Sequence, residues 1–135
     1  RLGAGVCAPQ VRSSAGTVED SVRRFPTLPS LFRRHAFRAG VSEYDVGTEP
    51  VAVDWVAGMF MAFDRDAFEA VKGFDERYFL YLEDADICRR LWSVNRPVFH
   101  DPGDYVIHDA QRASRRNMRH LSWHISSMIR FLATA

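Results

Sequence analysis

The chain alternates strand-like apolar segments with stretches whose apolar residues recur at helical spacing. Residues 6–11 predict a short strand, and the strongly apolar residues 51–63 predict a buried strand interrupted near Gly58. Between them, residues 28–37 predict a short helix with a proline in its first turn, and the polar residues 40–50 predict a surface loop. Strands and helices that alternate in this way indicate an α/β or α+β fold.

Two further helices are predicted in the middle of the chain. Asp64 is a typical N-cap for a short helix over 65–71, which Gly73 ends. A second helix is predicted over 83–94, because its apolar residues recur at i, i+4 and i+7. The residues expected to face the core are Ile87, Leu91 and Val94.

The last third of the chain predicts two strands and one long helix. Residues 97–100 and 105–108 predict short strands on either side of an Asp-Pro-Gly turn. Ser114 is predicted to cap a helix that runs to about residue 132. The buried stripe of this helix is predicted to be Met118, Leu121, Ile125, Met128, Ile129 and Leu132.

Composition limits the classes of protein. The 135 residues are 47% hydrophobic and 26% charged, which is typical of one soluble globular domain over 1–135. The net charge of +1 gives no overall field that would favour nucleic acid, although binding through the arginines of 112–119 remains an alternative. No apolar run approaches the roughly 18 residues of a membrane span, and no signal peptide is recognisable. Because the chain opens on Arg1, we expect a piece of a longer protein.

Cysteine and histidine spacing offers no metal site. Cys7 and Cys88 are far apart and belong to no Cys/His cluster, so two reduced thiols in a cytoplasmic protein are expected. His120 and His124 are spaced i, i+4, but they lie off the apolar stripe and no acid joins them. We therefore predict that they lie on a polar helix face.

An acidic cluster follows an unusually apolar run. In "FDERYFLYLEDADICRR", residues 74–90, the acids Glu83, Asp84 and Asp86 come directly after residues 78–82. These acids either cap and solvate a helix start, or they present a carboxylate at the rim of a pocket as a base or cation ligand. The triplet at 84–86 also spells DxD, a metal motif of nucleotide-sugar enzymes. That motif usually ends a strand, whereas this triplet opens a helix.

The wider pattern resembles a known family. Its segments are "VDWVAG" at 53–58, "GFDE" at 73–76, "FLYLEDAD" at 79–86 and "VIH" at 106–108, with "RRFPT" at 23–27 upstream. In this order and spacing they resemble the C-terminal half of family 2 glycosyltransferases, the inverting GT-A enzymes. The most similar branch is the bacterial rhamnosyl- and galactofuranosyltransferase-like group, which builds cell-surface polysaccharide.

This resemblance implies an α/β fold: the C-terminal portion of a GT-A fold, without its N-terminal nucleotide-binding half. The whole enzyme would transfer a sugar from a nucleoside diphosphate sugar to a glycan or polyprenyl-linked acceptor in cell-wall or O-antigen synthesis. It would act in the cytoplasm or at the inner face of the plasma membrane. Peripheral membrane association and homodimerisation are left open. The alternative is a non-catalytic carbohydrate- or partner-binding remnant of the same family.

The resemblance also assigns the reacting groups. Asp84 takes the position of the catalytic base, and Glu83 either hydrogen-bonds the acceptor or supports the structure. His108 takes the position of one ligand to Mg²⁺ or Mn²⁺, with a structural histidine as the alternative. The true DxD motif is expected upstream of Arg1.

Substrate-binding residues follow from the same resemblance. Trp55 and Gly58 match the segment that lines the donor–acceptor cleft, with core packing as the alternative for Trp55. Asp54 contacts the acceptor or holds the loop. Arg112 begins a charged stretch where relatives carry a loop that closes over the diphosphate, with a solvated charge run as the alternative. Arg89 is expected to pair with an acid in its own helix.

Overall fold

The computed structural model describes residues 3–27, 29–30, 44, 47–109 and 118–134. Its elements, in chain order, are β1 Val6–Arg12, β2 Val22–Arg23, β3 Val51–Ala52, β4 Trp55–Val56, β5 Ala62–Phe63, α1 Arg65–Ala70, α2 Glu83–Ser93, β6 Val98–Ile107 and α3 Met118–Ala133. This is a mixed α/β structure. The helix predicted over 28–37 and the loop predicted over 40–50 lie largely outside the described residues, as does the predicted cap Ser114.

A four-stranded mixed sheet forms the centre of the molecule. Its order is β3-β6-β1-β5, with β1 and β6 parallel and the two outer strands antiparallel to their neighbours. The predicted first strand is confirmed. Val6 and Ala8, two residues apart, are buried because they occupy its core face, and Val11 is buried as well. Strands β2 and β4 form a separate antiparallel pair. Cys7 and Cys88 are both free thiols, as expected.

The prediction of two strands around a turn at 97–108 is wrong. Residues Val98–Ile107 form one strand, β6, which pairs in parallel with β1 both before and after residues 102–104. Pro9 pairs with Asp101 and Gln10 with Tyr105, so residues 102–104 bulge out of the register. The Asp-Pro-Gly signal thus makes a bulge and not a reversal, because both halves of β6 hydrogen-bond to the same neighbouring strand.

The prediction of a single interrupted strand over 51–63 is also wrong. The segment divides into β3, β4 and β5, and each pairs with a different strand: β6, β2 and β1 respectively. Between and within these short strands, Val53, Trp55, Val56 and Ala57 are all buried. A continuous apolar run shows that a segment is buried, but it does not show which partners the backbone will find.

The two middle helices agree with their local signals. The Asp64 side chain accepts a hydrogen bond from the backbone N–H of Ala67 (2.9 Å), which confirms it as the N-cap of α1. In α2, Ile87 and Leu91 are fully buried as predicted. Val94 is 44% exposed, contrary to prediction, because the helix ends at Ser93 and helical spacing no longer applies beyond it.

The predicted buried stripe of α3 is largely exposed. Met128 and Leu132 are half-buried, but four members of the stripe are 44–80% exposed: Met118, Leu121, Ile125 and Ile129. The buried residues of α3 are Ser127 and Phe131, and His120 and His124 are half-buried on that side. The two histidines lie off the apolar stripe, as predicted, but their side of the helix is the one that packs against the rest of the chain. Periodicity finds the apolar side of a helix, but contacts with the rest of the chain decide which side is buried.

The turn after α1 yields a stability prediction. Lys72 has a left-handed backbone (φ 61°), which costs a non-glycine residue about 1–2 kcal/mol. We expect Lys72→Gly to raise the free energy of unfolding by about 0.5–1 kcal/mol, after the greater unfolded-state entropy of glycine is subtracted. Chemical denaturation measures this change. Lys72→Ala is the control, since it removes the charge and keeps the strained Cβ, and an equal gain there would contradict the backbone explanation.

Candidate active site

The loop before α2 has a strained backbone. Tyr81 and Leu82 both have left-handed conformations (φ 70° and 65°), and neither is glycine. Such residues persist only where surrounding contacts hold them. Here α3 supplies those contacts: Ser127 Oγ donates to Leu80 O (2.8 Å), and Tyr81 Oη lies 2.9 Å from His120 Nδ1. Helix α3 therefore fixes the loop that carries the acidic cluster.

Asp84 lies in the first turn of α2 and faces Gly58. Its Oδ2 accepts a hydrogen bond from Gly58 N (2.8 Å), and its Oδ1 accepts one from Ala85 N (2.8 Å). Burial raises the pKa of Asp84 above its ordinary value, although these two N–H donors and the positive charge of Arg23 act in the opposite direction. The fold thus brings two predicted site residues, 26 positions apart, into direct contact.

Glu83 is adjacent and differs from Asp84 in its bonding. Its Oε2 is buried and has no hydrogen-bond partner within the described ranges. Burial and the neighbouring Asp84 charge raise the pKa of Glu83. A buried carboxylate oxygen without a partner is energetically costly. It therefore retains the capacity to bind a hydroxyl group or a cation that reaches it.

Asp86 has a different environment. Its two oxygens accept from Arg90 Nε (2.7 Å) and Arg89 Nη2 (3.3 Å), and the residue is only 4% exposed. Arg89 also donates to Phe131 O (2.8 Å), which joins α2 to α3. The expected pairing of Arg89 within its own helix is confirmed. The two aspartates of the DxD triplet therefore have different partners: Asp86 pairs with two arginines, whereas Asp84 faces Gly58.

Asp54 and Trp55 hold residues 24 and 25 in place through hydrogen bonds. Asp54 accepts from Phe25 N (2.8 Å) and from Tyr44 Oη (2.7 Å). Trp55 is 4% exposed and donates from Nε1 to Arg24 O (3.0 Å). In the structure Asp54 therefore holds a loop in place, and Trp55 packs in the core.

His108 is exposed just beyond the end of β6. Its backbone N–H donates to Arg12 O (2.8 Å), which leaves the imidazole accessible from solvent. Among the residues that the structure describes, no group of three His, Cys, Asp or Glu side chains could hold a metal ion. These residues therefore do not complete a metal site around His108. Arg112 lies outside the described residues.

Comparison with known proteins identifies relatives of the chain. No family model matches it. The rhamnosyltransferase WbbL of Escherichia coli (strain K12) is 34% identical over 128 residues, which are 90% of this chain and 48% of that protein. The chain is a relative of bacterial rhamnosyltransferases. The N-acetylglucosaminyl-diphospho-decaprenol L-rhamnosyltransferase of Mycobacterium tuberculosis (strain ATCC 25618 / H37Rv) is 30% identical over 140 aligned positions, covering 96% of the chain and 46% of that protein.

These findings confirm the resemblance to rhamnosyltransferases that the motifs indicate. The chain spans about half the length of the curated relatives it matches. In the described part of this rhamnosyltransferase relative, no helix is both long enough and apolar enough to cross a membrane.

Sequence reasoning missed two features of the site. Arg23 pairs with Asp20 (3.1 Å), covers the Trp55 ring at 5.2 Å and contributes positive charge near Asp84. Only the antiparallel pairing of β2 with β4, where Arg23 lies opposite Trp55, reveals this position. The contact of Tyr81 with His120 was also missed, because helical spacing places the histidine on a polar helix face but does not show what that face contacts.

The close approach of Gly58 to Asp84 can be tested by substitution. A Cβ at Gly58 would lie 3.5 Å from Asp84 Oδ2, an ordinary contact distance. We expect Gly58→Ala to fold with stability within about 0.5 kcal/mol of the parent. It should raise the pKa of Asp84 further, since the methyl group displaces water from the carboxylate.

A carboxyl-carbon NMR titration measures this pKa. Gly47→Ala is the matched control, because nothing lies within 4 Å of a Cβ at that position. If the pKa of Asp84 fell in Gly58→Ala, the close approach of residue 58 to the Asp84 carboxylate would be contradicted.

Proposed function

We propose that this chain is the acceptor-side, catalytic portion of an inverting glycosyltransferase with a GT-A fold. The enzyme transfers a sugar from a nucleoside diphosphate sugar to a glycan or polyprenyl-linked acceptor in cell-surface polysaccharide synthesis. The names of its relatives favour L-rhamnose as the sugar and a polyprenyl-diphosphate-linked N-acetylglucosamine as the acceptor. The observation that carries the proposal is the position of Asp84, which accepts a hydrogen bond from Gly58 N and has a raised pKa, in a chain related to rhamnosyltransferases.

Asp84 is the general base of the proposed reaction. Its raised pKa makes the carboxylate a stronger base than an ordinary aspartate, and its two hydrogen bonds fix its orientation. The carboxylate removes the proton of the acceptor hydroxyl as that oxygen forms a bond to the anomeric carbon. On the opposite face the bond to the diphosphate breaks, and its electron pair leaves with the nucleoside diphosphate. The anomeric configuration is therefore inverted.

Glu83 and Gly58 position the acceptor in this proposal. The unpaired Glu83 Oε2 accepts a hydrogen bond from a second acceptor hydroxyl, which satisfies a buried oxygen. Gly58 has no side chain, so a sugar ring can approach the backbone beside Asp84. Asp54 and Trp55 support the chain that leads to Gly58 through their hydrogen bonds with residues 24–25.

We further propose His108 as one ligand of Mg²⁺ or Mn²⁺, with the other ligands outside the described residues. The exposed imidazole at the end of β6 supports this assignment, since it is accessible to an ion. A divalent ion there would stabilise negative charge on the departing diphosphate. We assign Arg112 to contacts with the same diphosphate, because guanidinium groups match phosphate geometry. The reaction is placed at the cytoplasmic face of the membrane, where a polyprenyl-linked acceptor would be reached.

Sugar transfer by the full-length protein tests the proposal directly. The protein is incubated with nucleoside diphosphate-activated L-rhamnose and N-acetylglucosaminyl-diphospho-polyprenol, and products are analysed by mass spectrometry. We expect addition of one deoxyhexose, and NMR of the product should show the inverted anomeric configuration. If a panel of nucleoside diphosphate sugars gave no transfer while the protein still bound the acceptor glycan, a non-catalytic binding remnant would replace this proposal.

A further inference from the structure

The helix that carries Asp84 begins without the usual local anchor. Leu82 occupies the N-cap position of α2 and makes no side-chain cap hydrogen bond. Helix starts are commonly fixed by a polar N-cap side chain that accepts from a first-turn N–H, as Asp64 does in α1. Asp84 lies only two residues after Leu82. Its position therefore depends on contacts from elsewhere in the chain.

The backbone at this point would relax if those contacts were lost. Tyr81 and Leu82 are successive left-handed residues, a conformation that is unfavourable for any residue other than glycine. Burial of the Leu82 side chain in the core fixes where the turn lies. The contacts of the Tyr81 side chain are made by α3. A change in either backbone conformation would alter the direction in which the chain enters α2.

Helix α3 holds the chain on the N-terminal side of Asp84. Ser127 is 5% exposed, and its Oγ donates to Leu80 O (2.8 Å). Tyr81 Oη lies 2.9 Å from His120 Nδ1, and the Tyr81 ring centroid lies 5.2 Å from that of His124. The residue before the strained pair and the first member of that pair are thus both bound by α3.

The same helix holds the chain on the C-terminal side of Asp84. Arg89 of α2 donates to Phe131 O (2.8 Å) and to Thr134 Oγ1 (2.7 Å), just beyond the end of α3. Its guanidinium lies 3.9 Å from the centroid of the buried Phe131 ring. Asp84 therefore lies between two attachments to one helix, which together limit the movement of the first turn of α2.

We propose that His120 and Ser127 of α3 are positioning residues for the base. By holding the loop 80–82, they keep the Asp84 carboxylate at hydrogen-bond distance from Gly58 N (2.8 Å). A displacement of about 1 Å in a reacting group can lower a rate by about 10²-fold. The catalytic benefit rests on the proposed transfer reaction, whereas the positioning of Asp84 is independent of it.

Amide hydrogen exchange of the full-length protein, followed by NMR without substrate, tests the positioning. Tyr81→Phe/Ser127→Ala removes two hydroxyl oxygens and leaves both side chains otherwise intact. We expect the Gly58 amide to exchange at least about tenfold faster, because its bond to Asp84 opens more often. The Ala67 amide makes the same kind of bond to Asp64 in α1, and its exchange should stay within about twofold of the parent.

Steady-state kinetics of the same variant test the effect on transfer. We expect kcat to fall about tenfold, because the base spends less time in its productive position. The KM for the nucleoside diphosphate sugar should stay within about twofold, since the loop acts through Asp84 and not through the donor. A general loss of structure would change both constants and the Ala67 exchange rate as well.

The matched control is Ser93→Ala/Ser122→Ala. It also removes two hydroxyls, which bond only one turn back to Arg90 O (2.7 Å) and Arg119 O (2.8 Å). Its kcat and its Gly58 exchange rate should stay within about twofold of the parent. Circular dichroism verifies that both variants are folded.

Three results would overturn the positioning role. They are unchanged Gly58 exchange in Tyr81→Phe/Ser127→Ala, equal changes in the control variant, and faster exchange with an unchanged kcat. A parent protein that transfers no sugar would overturn the proposed function alone. The exchange rate of Gly58 is measured without substrate, so it would still decide whether α3 holds Asp84 in place.

Discussion

Replacing Asp84 by asparagine is expected to lower the rate of sugar transfer by the full-length protein by about 10²–10⁴-fold. The amide has the shape of the carboxylate and can still accept the hydrogen bond from Gly58 N, but it cannot take a proton. Donor binding should therefore be preserved. Initial rates measure the loss, and calorimetric titration with the nucleoside diphosphate sugar measures binding. Near-normal transfer by Asp84→Asn would remove Asp84 from the mechanism.

The pH dependence adds an independent check. A base must be ionised to act, so transfer should fall as pH decreases through the Asp84 pKa, which burial places above that of an ordinary aspartate. A carboxyl group whose folded-state pKa is raised binds its proton more tightly in the folded state, so its ionisation destabilises the fold as pH rises. Asp84→Asn should therefore lose activity without losing stability at neutral pH. Asp66→Asn, an exposed change on α1, is the control for activity and should leave the rate of transfer unchanged.

The second large effect is expected at Asp86. Asp86→Ala should lower the free energy of unfolding by about 2–3 kcal/mol, because it leaves two arginines without their buried partner. The value lies below the full cost of breaking a buried ion pair, since the Arg89 and Arg90 side chains are 21% and 29% exposed. Arg90 also bonds Gly73 O (2.8 Å), so its displacement would loosen the packing of α2 on the end of α1. Denaturant unfolding measures the change.

Glu69→Ala provides the matched comparison. Glu69 pairs with Arg65 at the same i, i+4 spacing as Asp86 with Arg90, but the two side chains are 62% and 88% exposed. Such surface pairs contribute about 0–1 kcal/mol. Similar losses in the two variants would show that burial does not distinguish these ion pairs.

Much of the local structure could be predicted from the sequence because its causes are local. Asp64 caps α1 through its own side chain, and the spacing of Ile87 and Leu91 fixes the buried side of α2. The motifs also carry the relationship to rhamnosyltransferases, which the comparisons confirm. Asp84 and Gly58 were selected separately from those motifs. Their direct contact emerged only when the segments containing them were brought together.

Three of the errors share one physical reason: each depends on partners distant in sequence. The segment 51–63 divides among three strands, and the Asp-Pro-Gly signal in β6 becomes a bulge because β1 continues to pair past it. The apolar side of α3 faces outward because Tyr81 and Leu80 engage its opposite side. Neither hydrophobic spacing nor turn propensity contains this information.

The parallel pairing of β1 with β6 has a consequence for biosynthesis. Val6 lies opposite Val98, so the two central strands of the sheet come from distant parts of the chain. At ribosomal rates of about 5–20 residues per second, β1 waits on the order of 5–20 s before β6 is made. During that interval the hydrogen-bonding edge of β1 that pairs with β6 stays unpaired. Until β6 has been made, this edge of β1 is a place where a nascent chain can pair with a wrong strand.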